Sequence, residues 1–137
     1  MSETRSERAP APVGAYPHAR RVGNLLFVSG TGSRVPGTNE VPGNIVDQTG
    51  RLVEHDIARQ TRQCFANLKT ILEAAGSSWD RIVDVTVFLT DMANDFPVFN
   101  RIYAEYFTTN QPARTTVEVG ALPTPIHIEL KVIATVG

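Results

Sequence analysis

Cysteine is nearly absent from this chain: Cys64 is the only one among 137 residues. A single thiol excludes an internal disulfide framework and a Cys-based zinc cluster. Cys64 sits among apolar residues of a predicted helix, so it reads as a buried structural thiol rather than a nucleophile. Lysine is almost as scarce, with two against eleven arginines, and formal net charge is only −1. That balance lacks the basic footprint of a nucleic-acid or anionic-membrane binder. Arginine offers a planar fork where lysine offers a point charge. Most of the eleven nonetheless read as compositional bias rather than chemistry. No apolar run approaches the ~20 residues that cross a bilayer. Met1–Pro12 is polar and lacks an apolar signal core, so the expected location is cytoplasmic. Recognisable metal and phosphate motifs are missing too. His18, His55 and His127 are scattered, and no metal site is expected. There is no P-loop, no GxGxxG opening a helix and no GxSxG elbow.

What is present fits one domain. Hydrophobic residues make up 42% of the chain, enough for a core at this length. Residues 1–10 are expected to be a loose tail and 11–137 the domain. Leu25–Ser29 reads as a strand, pairing with Arg20–Val22 across Gly23-Asn24. Residues 31–54 carry the turn signals Pro36-Gly37, Pro42-Gly43 and Thr49-Gly50 and no strong period. Loops of that length are often functional. Residues 56–75 read as a helix with stripe Ile57, Cys64, Phe65, Leu68, Ile71, Leu72 and Ala75. Asp56 is its expected N-cap and Gly76 its stop. Ile82–Leu89 alternates as a strand, with Val83, Val85, Val87 and Leu89 on one face. A second helix is expected from about Asp95 to Thr108, with Pro97 in its first turn. Arg114–Val119 and Ile126–Thr135 are the last strands. The expected architecture is α+β: a two-layer sandwich with one mixed sheet and two helices on one face. The uncovered face mixes apolar and charged residues, which points to a homo-oligomer with polar groups at the seam.

Arg114 opens a strand after Gln111-Pro112-Ala113, where its fork could grip a carboxylate. Glu129 is expected on the same mixed face, where it could orient or deprotonate a water. From spacing alone, a salt bridge between subunits is the simpler reading of the two.

The chain from about Ala9 onward resembles the reactive-intermediate deaminases, the Rid or YjgF-like family. The resemblance rests on Ala9-Pro10-Ala11-Pro12-Val13-Gly14-Ala15-Tyr16, on Val28-Ser29-Gly30, and on Gln60-Thr61-Arg62-Gln63 with Asn67-Leu68-Lys69. It continues through Leu72–Gly76, Val87–Met92, Asp95-Phe96 with Asn100 and Tyr103, Pro112–Val117 and Ile128-Glu129. It implies a chorismate-mutase-like fold, a homotrimer with active sites between subunits, and no cofactor. It implies that Arg114 binds the substrate carboxylate and Glu129 places the attacking water. Tyr16, Ser29, Gly30, Asn100 and Thr116 would line the cleft.

The chain departs from commoner members at Ala15, Pro17, His18, Thr31 and Lys131, and in a longer 31–54 loop. Ala15–Arg21, that loop and Leu122–Ile126 look like the 2-aminomuconate deaminase branch. That resemblance implies hydrolysis of 2-aminomuconate to 2-oxo-3-hexenedioate (4-oxalocrotonate) and ammonia, in aromatic-compound degradation. Such a dicarboxylate would need a second cation: Arg20 is the first choice, with Arg34, His18 and Lys131 as others. Two alternatives stand beside it: a generic 2-aminoacrylate-type deaminase, and a non-catalytic carboxylate-binding or chaperone-like protein.

Overall fold

The computed structural model describes residues 1–137. It contains β1 (Ser2–Thr4), β2 (Ala19–Val22), β3 (Leu25–Gly32), β4 (Ile45–Val46), β5 (Leu52–Glu54), α1 (Ile57–Ala74), β6 (Ile82–Leu89), α2 (Met92–Tyr106), β7 (Ala113–Glu118) and β8 (Ile128–Thr135). Six strands form one sheet in the order β1-β2-β3-β8-β6-β7, and β4-β5 form a separate ribbon. The β6–β7 pair is parallel and the other pairs are antiparallel. The sheet is therefore mixed, because α2 carries the chain from β6 back to start β7 in the same direction. Both helices lie on one face, as the α+β reading expects.

The alternation of β8 decides where the core sits. Ile128, Leu130, Val132 and Ala134 are fully buried, while Glu129, Lys131 and Ile133 face the other way. Val85, Val87 and Leu89 of β6 join them under the helices, as do Leu26 and Val28 of β3. The expected stripe of α1 meets this layer, and Asp56 caps it by accepting from the Arg59 N–H. Gly76 takes the left-handed stop at φ 79°.

Several expectations change. Residues 1–10 are not a loose tail: Ser2–Thr4 pairs with Ala19–Arg21. His18 anchors that segment, its Nδ1 accepting from the Ser6 N–H at 3.1 Å and its Nε2 donating to the Pro10 carbonyl at 2.8 Å. Backbone pairing of a polar edge strand leaves no hydrophobic signature in sequence. Within the 31–54 loop, β4 and β5 close a ribbon around an Asp47 side chain that accepts from the Thr49 and Arg51 N–H groups. Helix α2 starts three residues earlier than expected because Asp91 caps it, accepting from the Asn94 N–H. Pro97 therefore lies inside the helix. Val83 is not in the core face: the β6–β8 register shifts between Ile82 and Asp84, and Val83 is exposed. The bulge turns that one residue outward.

Phe65 is the largest fully buried side chain in α1, with edge-on contacts to Phe99, Tyr103, Tyr106 and Phe107. Phe65→Ala should cost about 3–5 kcal/mol of stability. Urea unfolding checks this, and an unchanged midpoint would mean that the two helices do not depend on this contact.

Candidate active site

The sheet register separates the two residues that sequence reading placed together. Arg114 pairs with Val85 and Thr116 with Val87, both on the helix face. Glu129 pairs with Phe88, and Phe88 with Val117, both on the uncovered face. Directly paired residues project to the same side of a sheet. Arg114 and Glu129 thus lie on opposite faces of one chain, and the expectation of a shared face is corrected. Their backbones are also two strand spacings (about 9.6 Å) and three residues (about 10 Å) apart. As the edge strand, β7 reaches the lip of the helix layer, where inward positions can be polar.

At that lip the Arg114 guanidinium lies over three rings of α2. Its carbon is 4.6 Å from the Tyr103 centroid, 5.7 Å from Phe99 and 5.8 Å from Phe96. It has no carboxylate partner: the ion pairs of the chain are Arg5–Glu3, His55–Asp95 and Arg62–Glu105. Four buried hydroxyls lack a hydrogen-bond partner, and two of them, Tyr103 and Thr116, belong to this corner. Asn100 is exposed on α2, one turn beyond Phe96 and one before Tyr103. Arg114, Thr116 and Asn100 therefore share one edge of the molecule. Tyr103 and Phe96, which sequence reading left as core or as family markers, are part of it. No spacing signal distinguished a ring under a guanidinium from a ring in a core.

The other group gathers around a bulge in β3. Val28 pairs with Val132 and Thr31 with Leu130, so Ser29 and Gly30 together oppose Lys131. The bulge brings Gly30 against Glu129: a Cβ there would lie 2.8 Å from the Glu129 carboxyl carbon. A side chain at this position would push that carboxyl from its present place. Ser29 donates its hydroxyl to the Pro17 carbonyl at 2.7 Å, and its N–H to the His18 carbonyl at 2.9 Å. These bonds hold the Tyr16 segment beside the bulge. Tyr16, Ser29, Gly30 and Arg34 line one cleft together with Pro10 and Pro12. Burial pushes the Glu129 carboxyl above the usual range, and the nearby Lys131 cation opposes that.

The candidate second cations divide. His18 spends both ring nitrogens on backbone groups, so it is a strut of the N-terminal segment rather than a cation for a ligand. Arg20 pairs with Phe27 on β2, two strands from Glu129, with its guanidinium 3.2 Å from the Met1 sulfur. It does not line the Tyr16 cleft. Arg34 does, braced by the Ala11 carbonyl at 2.7 Å and the Asn39 side chain at 2.9 Å. Lys131 donates to the Val28 carbonyl at 2.9 Å, beside Glu129.

A polar network missed by sequence reading fixes the entry to β8. His127 precedes the strand and turns inward. Its N–H donates to Gln60 Oε1 at 2.8 Å, and its ring stacks on His55 at 3.7 Å. His55 bonds Asp95 at 2.7 Å, and the fully buried Gln60 also donates to Asn44. Burial, aided by His55, drives the His127 pKa down to about 4. The available signal was a glutamine at a core position of α1. No group of side chains suited to a metal ion occurs. No helix is long and apolar enough to cross a membrane.

Comparison with known proteins covers nearly the whole chain. The family model described as Endoribonuclease L-PSP matches residues 6–136. A RutC family protein of Pyrococcus horikoshii is 46% identical over 129 residues, covering 94% of this chain and 93% of that protein. The 2-iminobutanoate/2-iminopropanoate deaminase of Escherichia coli K12 is 40% identical over 138 residues, covering 98% of each. Among solved structures, E. coli TdcF with bound serine superposes with TM-score 0.85 at 31% identity, over all of both chains.

The raised Glu129 pKa has a stability consequence with a definite sign. The fold favours the protonated form, so this contribution is complete below the ordinary glutamate pKa and lost as pH rises through the folded value. Glu129→Gln should therefore melt above wild type at about pH 7, with the gap closing near pH 4. Thermal melts at the two pH values check this, and a variant that melts below wild type at neutral pH contradicts it.

Proposed function

The chain belongs to the Endoribonuclease L-PSP family, the Rid or YjgF-like proteins, and from this premise we propose that it is a hydrolytic deaminase of small 2-imino or 2-enamino acids. The observation that carries the reading is Arg114, a guanidinium held at the surface edge and unpaired with any carboxylate of its own chain. A fork of free N–H donors suits bidentate capture of a substrate carboxylate. Capture fixes the adjacent imine carbon for attack and draws electron density from it. Glu129 is the proton carrier, since a carboxyl raised by burial exchanges protons more readily near neutral pH. Water adds to the C=N carbon as Glu129 takes its proton. The proton passes to nitrogen to give a carbinolamine; Glu129 then carries the hydroxyl proton to the same nitrogen as the C=O bond forms and the C–N bond breaks, and a 2-oxo acid and ammonia leave. An enamine enters the same sequence after protonation at carbon. Each step uses side chains alone, so the proposal requires no cofactor.

The same geometry supports sites shared between copies of the chain, and the family resemblance implies that the copies number three. Arg114 and Glu129 cannot meet on one small molecule within a chain, because a sheet separates them. A second copy that brings its β7 edge to the Tyr16 cleft would unite the two halves. Leu25, Phe27 and Val117, all exposed on the uncovered face, are apolar surface such packing would cover.

Within this reading, the finer assignment is 2-aminomuconate. Arg34 in the cleft is the observation that favours it, because a dicarboxylate needs a second cation away from Arg114. A braced arginine keeps its charge while its remaining N–H groups stay available.

Arg114→Ala should abolish ammonia release from freshly generated 2-iminobutanoate while leaving assembly unchanged by light scattering. Turnover near the wild-type rate would overturn the role of Arg114, and a wild type that releases no ammonia above the spontaneous rate would overturn the deaminase reading. Faster wild-type turnover of 2-aminomuconate than of 2-iminobutanoate would support the finer assignment, and the reverse order would remove it.

A further inference from the structure

We infer that Tyr103 is a positioning residue for the Arg114 carboxylate site and that its aromatic ring, not its hydroxyl, does this. The inference rests on the deaminase reading for what Arg114 holds, but the placement of Arg114 itself is a matter of geometry. An arginine whose charge is to meet a ligand has to be fixed without being discharged. A carboxylate partner would fix it and neutralise it. An aromatic face fixes a guanidinium by its quadrupole and leaves the edge N–H donors open. Tyr103 gives the closest of the three faces, at 4.6 Å against 5.7 and 5.8 Å.

The ring is also well anchored. Tyr103 is only 9% exposed. It stacks on Phe107 at 4.3 Å, and Phe99 and Phe65 lie against it at 5.6 and 6.2 Å. A ring wedged in this way cannot follow the arginine, so the arginine must settle on the ring. The hydroxyl has no hydrogen-bond partner and holds nothing in place. Acids are present nearby but do not take over the task. Asp84 acts on the Tyr103 phenol only at a distance, and Glu118 spends a carboxylate oxygen on the Met92 N–H at 2.9 Å. Thr116, two residues along the same face of β7, adds a second buried hydroxyl without a partner. The corner thus consists of a fork, a platform and two spare hydroxyls, with no counter-charge among them.

Pyruvate binding by isothermal titration calorimetry and 2-iminobutanoate turnover, measured on the assembled full chain, test this together. Tyr103→Leu should weaken pyruvate binding about tenfold and raise KM by a similar factor, the size of one lost cation–π contact. kcat should move far less, because the ring does not touch the reacting atoms. The conservative Tyr103→Phe, which restores the ring, should rescue both binding and KM. Should Tyr103→Leu not fold, Phe96→Leu on the same platform, at a partly buried position, is expected to weaken binding in the same direction by about threefold. Wild-type pyruvate affinity in the leucine variants, or a loss in Tyr103→Phe equal to that in Tyr103→Leu, would overturn the inference. A wild type that binds pyruvate yet releases no ammonia would sink the deaminase reading and leave the platform standing. A wild type that turns over while Tyr103→Leu keeps its pyruvate affinity would sink the platform alone.

Discussion

A guanidinium removed from most of its water needs a partner, and proteins usually supply a carboxylate. Here Arg114 rests on the rings of Phe96, Phe99 and Tyr103 and keeps its charge. That placement depends on the parallel β6–β7 register, which sets Arg114 beside Val85 and so turns it toward α2. It depends equally on the Asp91 cap, which starts α2 where Phe96, Phe99 and Tyr103 fall along one stripe. The parallel pair, the early cap and the aromatic stripe all serve one fork of donors at the edge of the sheet.

The Glu129 group follows a different logic. A carboxyl is held partly away from water on the central strand, against a glycine in a bulge, at a cost to the charged form. A carboxyl kept poorly solvated costs the fold stability, and in the proposed reaction that cost is the familiar trade between stability and activity. The Gln60–His127 network secures the residue two positions before Glu129, so the strand that carries the carboxyl is fixed from below as well as by its neighbours.

Much of this was legible in the residues. Periodicity placed α1, β6 and the β2–β3 hairpin, because a strongly amphipathic element announces its face. The motif segments named Arg114, Glu129, Ser29 and Gly30, and the structure gives each a distinct setting. Faces were less legible. Arg114 looked like an outward residue on the face of Glu129, yet the register turns it toward the helices, and no local pattern encodes register on an edge strand. His18 looked like a free cation because nothing in sequence shows that two backbone groups occupy its ring. The β1 strand and the β4–β5 ribbon are short and held by backbone and Asx bonds, which hydrophobicity does not report.

The central claim is that one chain supplies the arginine and another the carboxyl of each working site. Mixing chains tests it directly. Arg114→Ala and Glu129→Gln chains, each inactive alone, would be dissociated, combined in equal amounts and reassembled, with 2-iminobutanoate turnover read before and after. Shared sites predict recovery of about a quarter of wild-type activity, since one site in four would draw both intact residues from neighbouring copies. A reassembled mixture that stays as inactive as its parents would contradict the account.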